Sequence, residues 1–144
     1  MLLEIITPEK KVFSNQVDQV TLPSSTGEIT VLAHHVPLLT EINPGEITIK
    51  TGGKVDHLVS GKGFAEITGE KVSVLIDLAE TESSLDEKKI EEAKARAEEA
   101  LKQKHALSEE EYAAAAAALQ NTLAQLRFVR RHHSHSKNVG ESEP

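Results

Sequence analysis

A chain of 144 residues with 38% hydrophobic and only 3% aromatic side chains, and no tryptophan, must build a modest core from aliphatic groups. The absence of cysteine excludes disulfides, thiolate metal sites and a cysteine nucleophile together. A formal net charge of −7 is a poor basis for holding phosphates, so no nucleic-acid partner is expected.

The N-terminal stretch MLLEIITPEKK carries its charges after its apolar residues, the reverse of a signal peptide. No apolar run approaches the ~20 residues that a bilayer crossing needs. The chain reads as soluble and unsecreted.

Up to about residue 80, short β-branched runs follow one another: LLEII, KVF, VDQVTL, GEITVL, GEITIK, VDHLVS, GFAEIT and KVSVLID. Pro8, Pro23, Asn43-Pro44-Gly45, Gly52-Gly53 and Gly69 punctuate them. Strands at such regular short spacing predict an antiparallel sandwich or barrel. In KVSVLID, alternation places Val72, Val74 and Ile76 on one face. The two copies of GEIT, at Gly27 and Gly45, predict two strands entered from similar turns.

Beyond residue 80 the β-formers give way to Ala, Glu, Lys and Leu. Ile90, Ala93, Ala97 and Leu101 recur at helical spacing, with Ser84 and Glu87 as a capping box at the start. Ser108 and Glu111 form a second capping box ahead of EYAAAAAALQNTLAQLRFVRR, whose stripe is Leu119, Leu123, Leu126 and Val129. Two helices joined by a short segment predict an antiparallel hairpin. The fold class is therefore α+β, an N-terminal antiparallel β-sandwich over 1–82 followed by a two-helix hairpin over 83–131. The tail over 132–144, rich in histidine, loses all periodicity and reads as disordered.

A search for chemistry finds no active site. TGGKV lacks the Ser or Thr of a phosphate loop, and GKGFAE has Glu66 where a third glycine belongs. Both read as tight turns. His34 and His35 are adjacent, so on a strand they would face opposite ways and could not share an ion, and no acidic pattern ties His57 to them. His132, His133 and His135 read as solvated tail, so no metal site is expected. No nucleophile elbow is present. The acidic runs at 86–92 and 109–111 suit the first turns of helices, where the macrodipole favours anions. Arg127, Arg130 and Arg131 close the second helix, and two readings stand level for them. They complement the helix dipole, or they dock on an acidic protein surface.

The order of these parts resembles the epsilon subunit of the bacterial and chloroplast F-type ATP synthase. The resemblance spans residues 1–131 and is most specific from Gly27 to Gly45, GEITVLAHHVPLLTEINPG. VFS at 12–14, VSGKGFAEI at 59–67, KVSVLID at 71–77 and AQLR at 124–127 support it. It implies a non-catalytic rotor subunit without cofactor, in which the sandwich clamps the gamma subunit and rests on the c-ring. The hairpin would either lie against the sandwich or rise into the alpha/beta catalytic head and block ATP hydrolysis. The place implied is the cytoplasmic side of a bacterial plasma membrane, or the stromal side of a thylakoid, with membrane contact only through the complex.

Matched position by position, His35, Thr40 and Thr7 are implied to face gamma, Glu28 the c-ring loops, and Arg127, Arg130 and Arg131 the beta subunit. His34 stands where the family usually has glycine, and a demand for positive φ there would be met poorly by histidine. Some members bind ATP through I/L-D-x-x-R-A. Here Leu85 and Asp86 keep the pattern, but Lys89 replaces the arginine and Ile90 the alanine. Asn121 and Gln125 fall where those members carry further arginines. Lysine lacks arginine's planar fork, so weak or no ATP binding is expected. The competing readings are a stand-alone sandwich binding module with a helical appendage, and a histidine-dependent metalloenzyme.

Overall fold

The computed structural model describes residues 1–103 and 106–142, with side chains in the last helix described as far as His132. It divides into two units, Met1–Thr81 and the residues from Glu82 onward, each taken by itself here. The expectation of disorder over 132–144 falls, beyond His132, outside the residues whose side chains are described.

The first unit holds ten strands: β1 (Leu2–Ile6), β2 (Lys11–Gln16), β3 (Gln19–Ser24), β4 (Gly27–Leu32), β5 (Leu38–Ile42), β6 (Gly45–Thr51), β7 (Lys54–Ser60), β8 (Gly63–Ile67), β9 (Lys71–Ile76) and β10 (Ala79–Thr81). They run in the order β10-β7-β6-β3-β5-β8-β9-β1-β2, with β4 on the other edge of β3. The turn from one layer to the other lies in β3. Residues 19–21 pair with β6, whereas Ser24 pairs with Ile42 of β5. One layer is thus β10-β7-β6-β3-β4 and the other β5-β8-β9-β1-β2.

The pairings are antiparallel with one exception, for β1 runs parallel to β9. Alternation is nevertheless clear in β1, β8 and β9. Leu3 and Ile5 of β1, Ala65 and Ile67 of β8, and Val72, Val74 and Ile76 of β9 all enter one aliphatic core. Leu22, Val31, Ile47 and Ile49 meet them from the other layer. Both GEIT copies do open strands, and Gly52-Gly53 closes the two-residue β6–β7 hairpin, with Gly52 at φ +61° as such a turn requires. Gly63 is fixed by a close approach. A Cβ there would run into the carbonyl oxygen of Leu75 on β9.

On the outer side of β1, Glu4 bridges three strands. One of its oxygens lies 2.8 Å from Lys71 Nζ on β9, the other 2.8 Å from Lys11 Nζ on β2. Hydrogen bonds from Lys11 and then Lys71 hold its pKa down at about 2, against the smaller upward push of burial.

The second unit opens with a 3-10 turn at Glu82–Ser84 and holds α1 (Glu87–Lys102) and α2 (Glu109–Ser142). Ser108 caps α2 as the spacing predicts, accepting from the Glu111 N–H at 3.1 Å. The start of α1 differs. Asp86, not Ser84, is the N-cap and accepts from the Lys88 N–H at 3.0 Å, while Ser84 belongs to the preceding turn. Aspartate two residues later offers the same acceptor with extended backbone, and the tighter turn before it uses up Ser84. The stripe on α2 also differs. Leu126 and Val129 are buried, Leu119 and Leu123 only half-buried, and Thr122, Ala124 and Phe128 are buried beside them. Thr122 avoids an unsatisfied hydroxyl by donating to the Ala118 carbonyl at 2.7 Å.

The depressed Glu4 pKa fixes the sign of a pH effect. Its stabilisation is fully present above the unfolded carboxylate value and fades as pH falls towards about 2. Glu4→Gln should therefore be less stable than the parent at neutral pH. Urea midpoints taken from pH 7 downward should show the two chains converging below about pH 4; a gap that persists to pH 2 would contradict the triad.

Candidate docking face

The outward side of the β5-β8-β9 layer carries three exposed large apolar side chains, Leu39, Phe64 and Leu75, among Glu41, Glu66 and Ser73. Register puts Glu41, Phe64 and Leu75 side by side across β5, β8 and β9, and Leu39 one step along β5 beside Glu66. Leu39 is 69% exposed, Phe64 56% and Leu75 51%, and Val36 in the preceding loop reaches 71%. Single exposed apolar residues are ordinary, but neighbours on one face mark a contact surface. Lys62 pairs with Glu41 at 3.7 Å and supplies a polar edge.

The sequence-matched residues surround this face rather than forming a cluster. His35 lies in the loop before β5, where its Nδ1–H donates to the Val36 carbonyl at 2.7 Å. Thr7 follows β1 at the opposite end of the same layer. Its hydroxyl donates to the Lys10 carbonyl at 3.2 Å and accepts from the Lys10 N–H, so it shapes the β1–β2 turn. Thr40 pairs with Ala65 and is half-buried on the core-facing side of β5, opposite to Leu39. Glu28 is exposed at the start of β4, in the other layer. It follows Gly27, which has φ +117°.

Neither His34 nor His35 lies on a strand, so opposite strand faces are not what separates them. His34 has φ +67°, the left-handed region that glycine occupies without cost, and its N–H donates to the Gly69 carbonyl at 3.0 Å. It borders a cleft of about 540 Å³ with Gln16, Glu70 and Lys71. The sequence reading left His57 without a carboxylate. In the fold its Nδ1 lies 2.8 Å from Glu46 Oε1 across β6 and β7. The two form a diagonal cross-strand pair within the β6–β7 hairpin.

In the helical unit all three arginines are exposed, and Arg130 reaches back to α1, to Glu87 at 3.4 Å and Glu91 at 3.1 Å. Of the nucleotide-like residues, Leu85 is half-buried, Lys89 is exposed, and Asp86 is used as the α1 cap. No helix among the described residues is long and apolar enough to cross a membrane.

Residues 1–82 match the family described as ATP synthase, delta/epsilon chain, beta-sandwich domain. A curated relative named ATP synthase epsilon chain, from Nitratidesulfovibrio vulgaris, is 42% identical over 126 residues, covering 87% of this chain and 92% of its own. This chain belongs to the ATP synthase epsilon family. A second relative of the same name, from Geobacter sulfurreducens, is 36% identical over 127 residues, covering 88% of this chain and 91% of its own. A chain of the Euglena gracilis mitochondrial ATP synthase cryo-EM structure, "OSCP/F1/c-ring in rotational state 1", shares the fold with a TM-score of 0.71. It covers 86% of this chain and 78% of its own at 22% identity. Epsilon-family chains are non-catalytic subunits, which agrees with the failed search for catalytic motifs.

Two variants test the local physics. His34→Gly should raise stability by roughly 0.5–1 kcal/mol, because relief of the left-handed histidine exceeds glycine's greater loss of backbone freedom. Leu39→Ser with Phe64→Ser should change stability by no more than about 1 kcal/mol, since both side chains face water in the isolated chain. Denaturant unfolding measures both, and a large loss in the second case would show that these side chains pack internally.

Proposed function

We propose that this chain is a central-stalk subunit of an F-type ATP synthase, whose sandwich couples the c-ring to gamma and whose helical hairpin restrains ATP hydrolysis. The observation that carries the reading is the group Leu39, Phe64 and Leu75, large apolar side chains exposed on one face of a chain of the epsilon family. The gamma subunit is its occupant, with His35 and the Thr7 turn at the two ends of the contact and Thr40 bracing β5 from behind. Glu28, on the other layer, meets the c-ring loops. The chain has no spanning helix of its own among the described residues and reaches the membrane only through the complex, on the cytoplasmic or stromal side.

Restraint of hydrolysis falls to the hairpin. Arg127, Arg130 and Arg131 pair with an acidic stretch of the beta subunit in the alpha/beta head. ATP plays no part in this switch, because Asp86 is committed to capping and Lys89 cannot present arginine's bidentate fork.

ATP hydrolysis by an epsilon-depleted catalytic head is the direct test. The full chain should inhibit, and a truncation ending at Glu82 should bind without inhibiting; equal inhibition by both would remove the hairpin from the mechanism. Replacing Arg127, Arg130 and Arg131 with alanine should relieve inhibition and weaken its salt dependence. Isothermal titration of the isolated chain should detect no ATP affinity tighter than about 1 mM, which corresponds to about −4 kcal/mol.

A further inference from the structure

Arg130 of α2 is engaged within the hairpin itself. Arg130 Nη2 donates to Glu91 Oε1 at 3.1 Å, and its Nε to Glu87 Oε1 at 3.4 Å. One guanidinium thus engages two carboxylates that stand one helical turn apart on α1. This is the arrangement by which arginine recognises an acidic surface on another protein. We propose that Glu87 and Glu91 act as an internal stand-in for the acidic partner, holding the hairpin closed and withholding Arg130 until the helices separate. The inference rests on the reading of Arg130 as a docking residue and adds its regulation.

Two further observations give the clasp weight. Only Ile90 and Ala97 of α1 are fully buried, so little apolar surface holds α1 in place and ionic contacts matter more than usual. Position matters as well. Glu87 and Glu91 lie in the opening turns of α1, and Arg130 lies far along α2, so the clasp ties the end of the hairpin away from its connection. That end must part if the helices are to separate. All three side chains are partly exposed, and exposed pairs are individually weak and screened by salt. The clasp therefore biases an equilibrium by a modest factor and does not lock it. A partner carboxylate can displace it, and release of Arg130 is coupled to opening.

The test uses the full chain. Amide hydrogen exchange along α1 is measured at low salt for the parent, for Glu87→Gln with Glu91→Gln, and for a charge control, Glu92→Gln with Glu99→Gln. Exchange should rise about two- to tenfold in the first variant and stay at the parent level in the control. Added salt should raise exchange in the parent but much less in the first variant. A swapped chain, Arg130→Glu with Glu87→Arg and Glu91→Arg, should return exchange towards the parent value. Unchanged exchange in the first variant, or an equal rise in the control, overturns the clasp.

The same proteins are then added to the epsilon-depleted head. The Glu87→Gln, Glu91→Gln chain should inhibit at a lower concentration than the parent. The swapped chain should be closed yet inhibit poorly, because its α2 no longer carries the arginine. If exchange rises but neither this pair nor Arg130→Ala alters inhibition, competition for Arg130 is overturned and the fault lies in its assignment as a docking residue.

Discussion

The docking layer depends on the insertion of β1 between β9 and β2. Leu3 and Ile5 fill the core from the inner side, and Glu4 on the outer side is held by one lysine from each neighbouring strand. Without β1, β2 would lose the one strand it pairs with among the described residues, and β9 its parallel partner. Paired on both edges, β1 joins β2 to the rest of the layer that carries Leu39, Phe64 and Leu75.

Alternation then explains how one sheet fills a core on one face and leaves large apolar side chains exposed on the other. Ala65 and Ile67 face inward on β8 while Phe64 faces out, and Val74 and Ile76 face inward on β9 while Leu75 faces out. The fully buried core is aliphatic, and Phe13, an aromatic packed against it, is only partly buried. One of the chain's few phenylalanines stands on the surface, where a large rigid side chain contributes most to a contact. His34 belongs to the same economy of shape. A left-handed residue is retained in the loop that leads into β5, at a position where glycine would be less strained.

Much of this could be read from the chain. Period-two runs pointed to the strands, and KVSVLID already put Val72, Val74 and Ile76 on one face. The failures have identifiable causes. β5 was hidden inside a loop-like stretch, because Leu38-Leu39 breaks alternation and Pro37 precedes it. The parallel pairing of β1 with β9 is a long-range choice that neither strand encodes alone. Ser84 and Asp86 are both good caps, and the preceding 3-10 turn decided between them. The partners of Arg130 lie 43 and 39 residues away, beyond any local pattern. The carboxylate beside His57 was missed because it is a diagonal neighbour on the next strand.

The central claim is that the outward face of β5, β8 and β9 is the surface through which the chain holds the stalk. Hydroxyl-radical footprinting of the full chain, free and then assembled in the synthase, addresses it without any substitution. Leu39, Phe64 and Leu75 should lose most of their labelling on assembly, while Val55, exposed at the start of β7, should keep its own. Retained labelling at Phe64 and Leu75 with loss at Val55 would place the contact on the other layer and contradict the account.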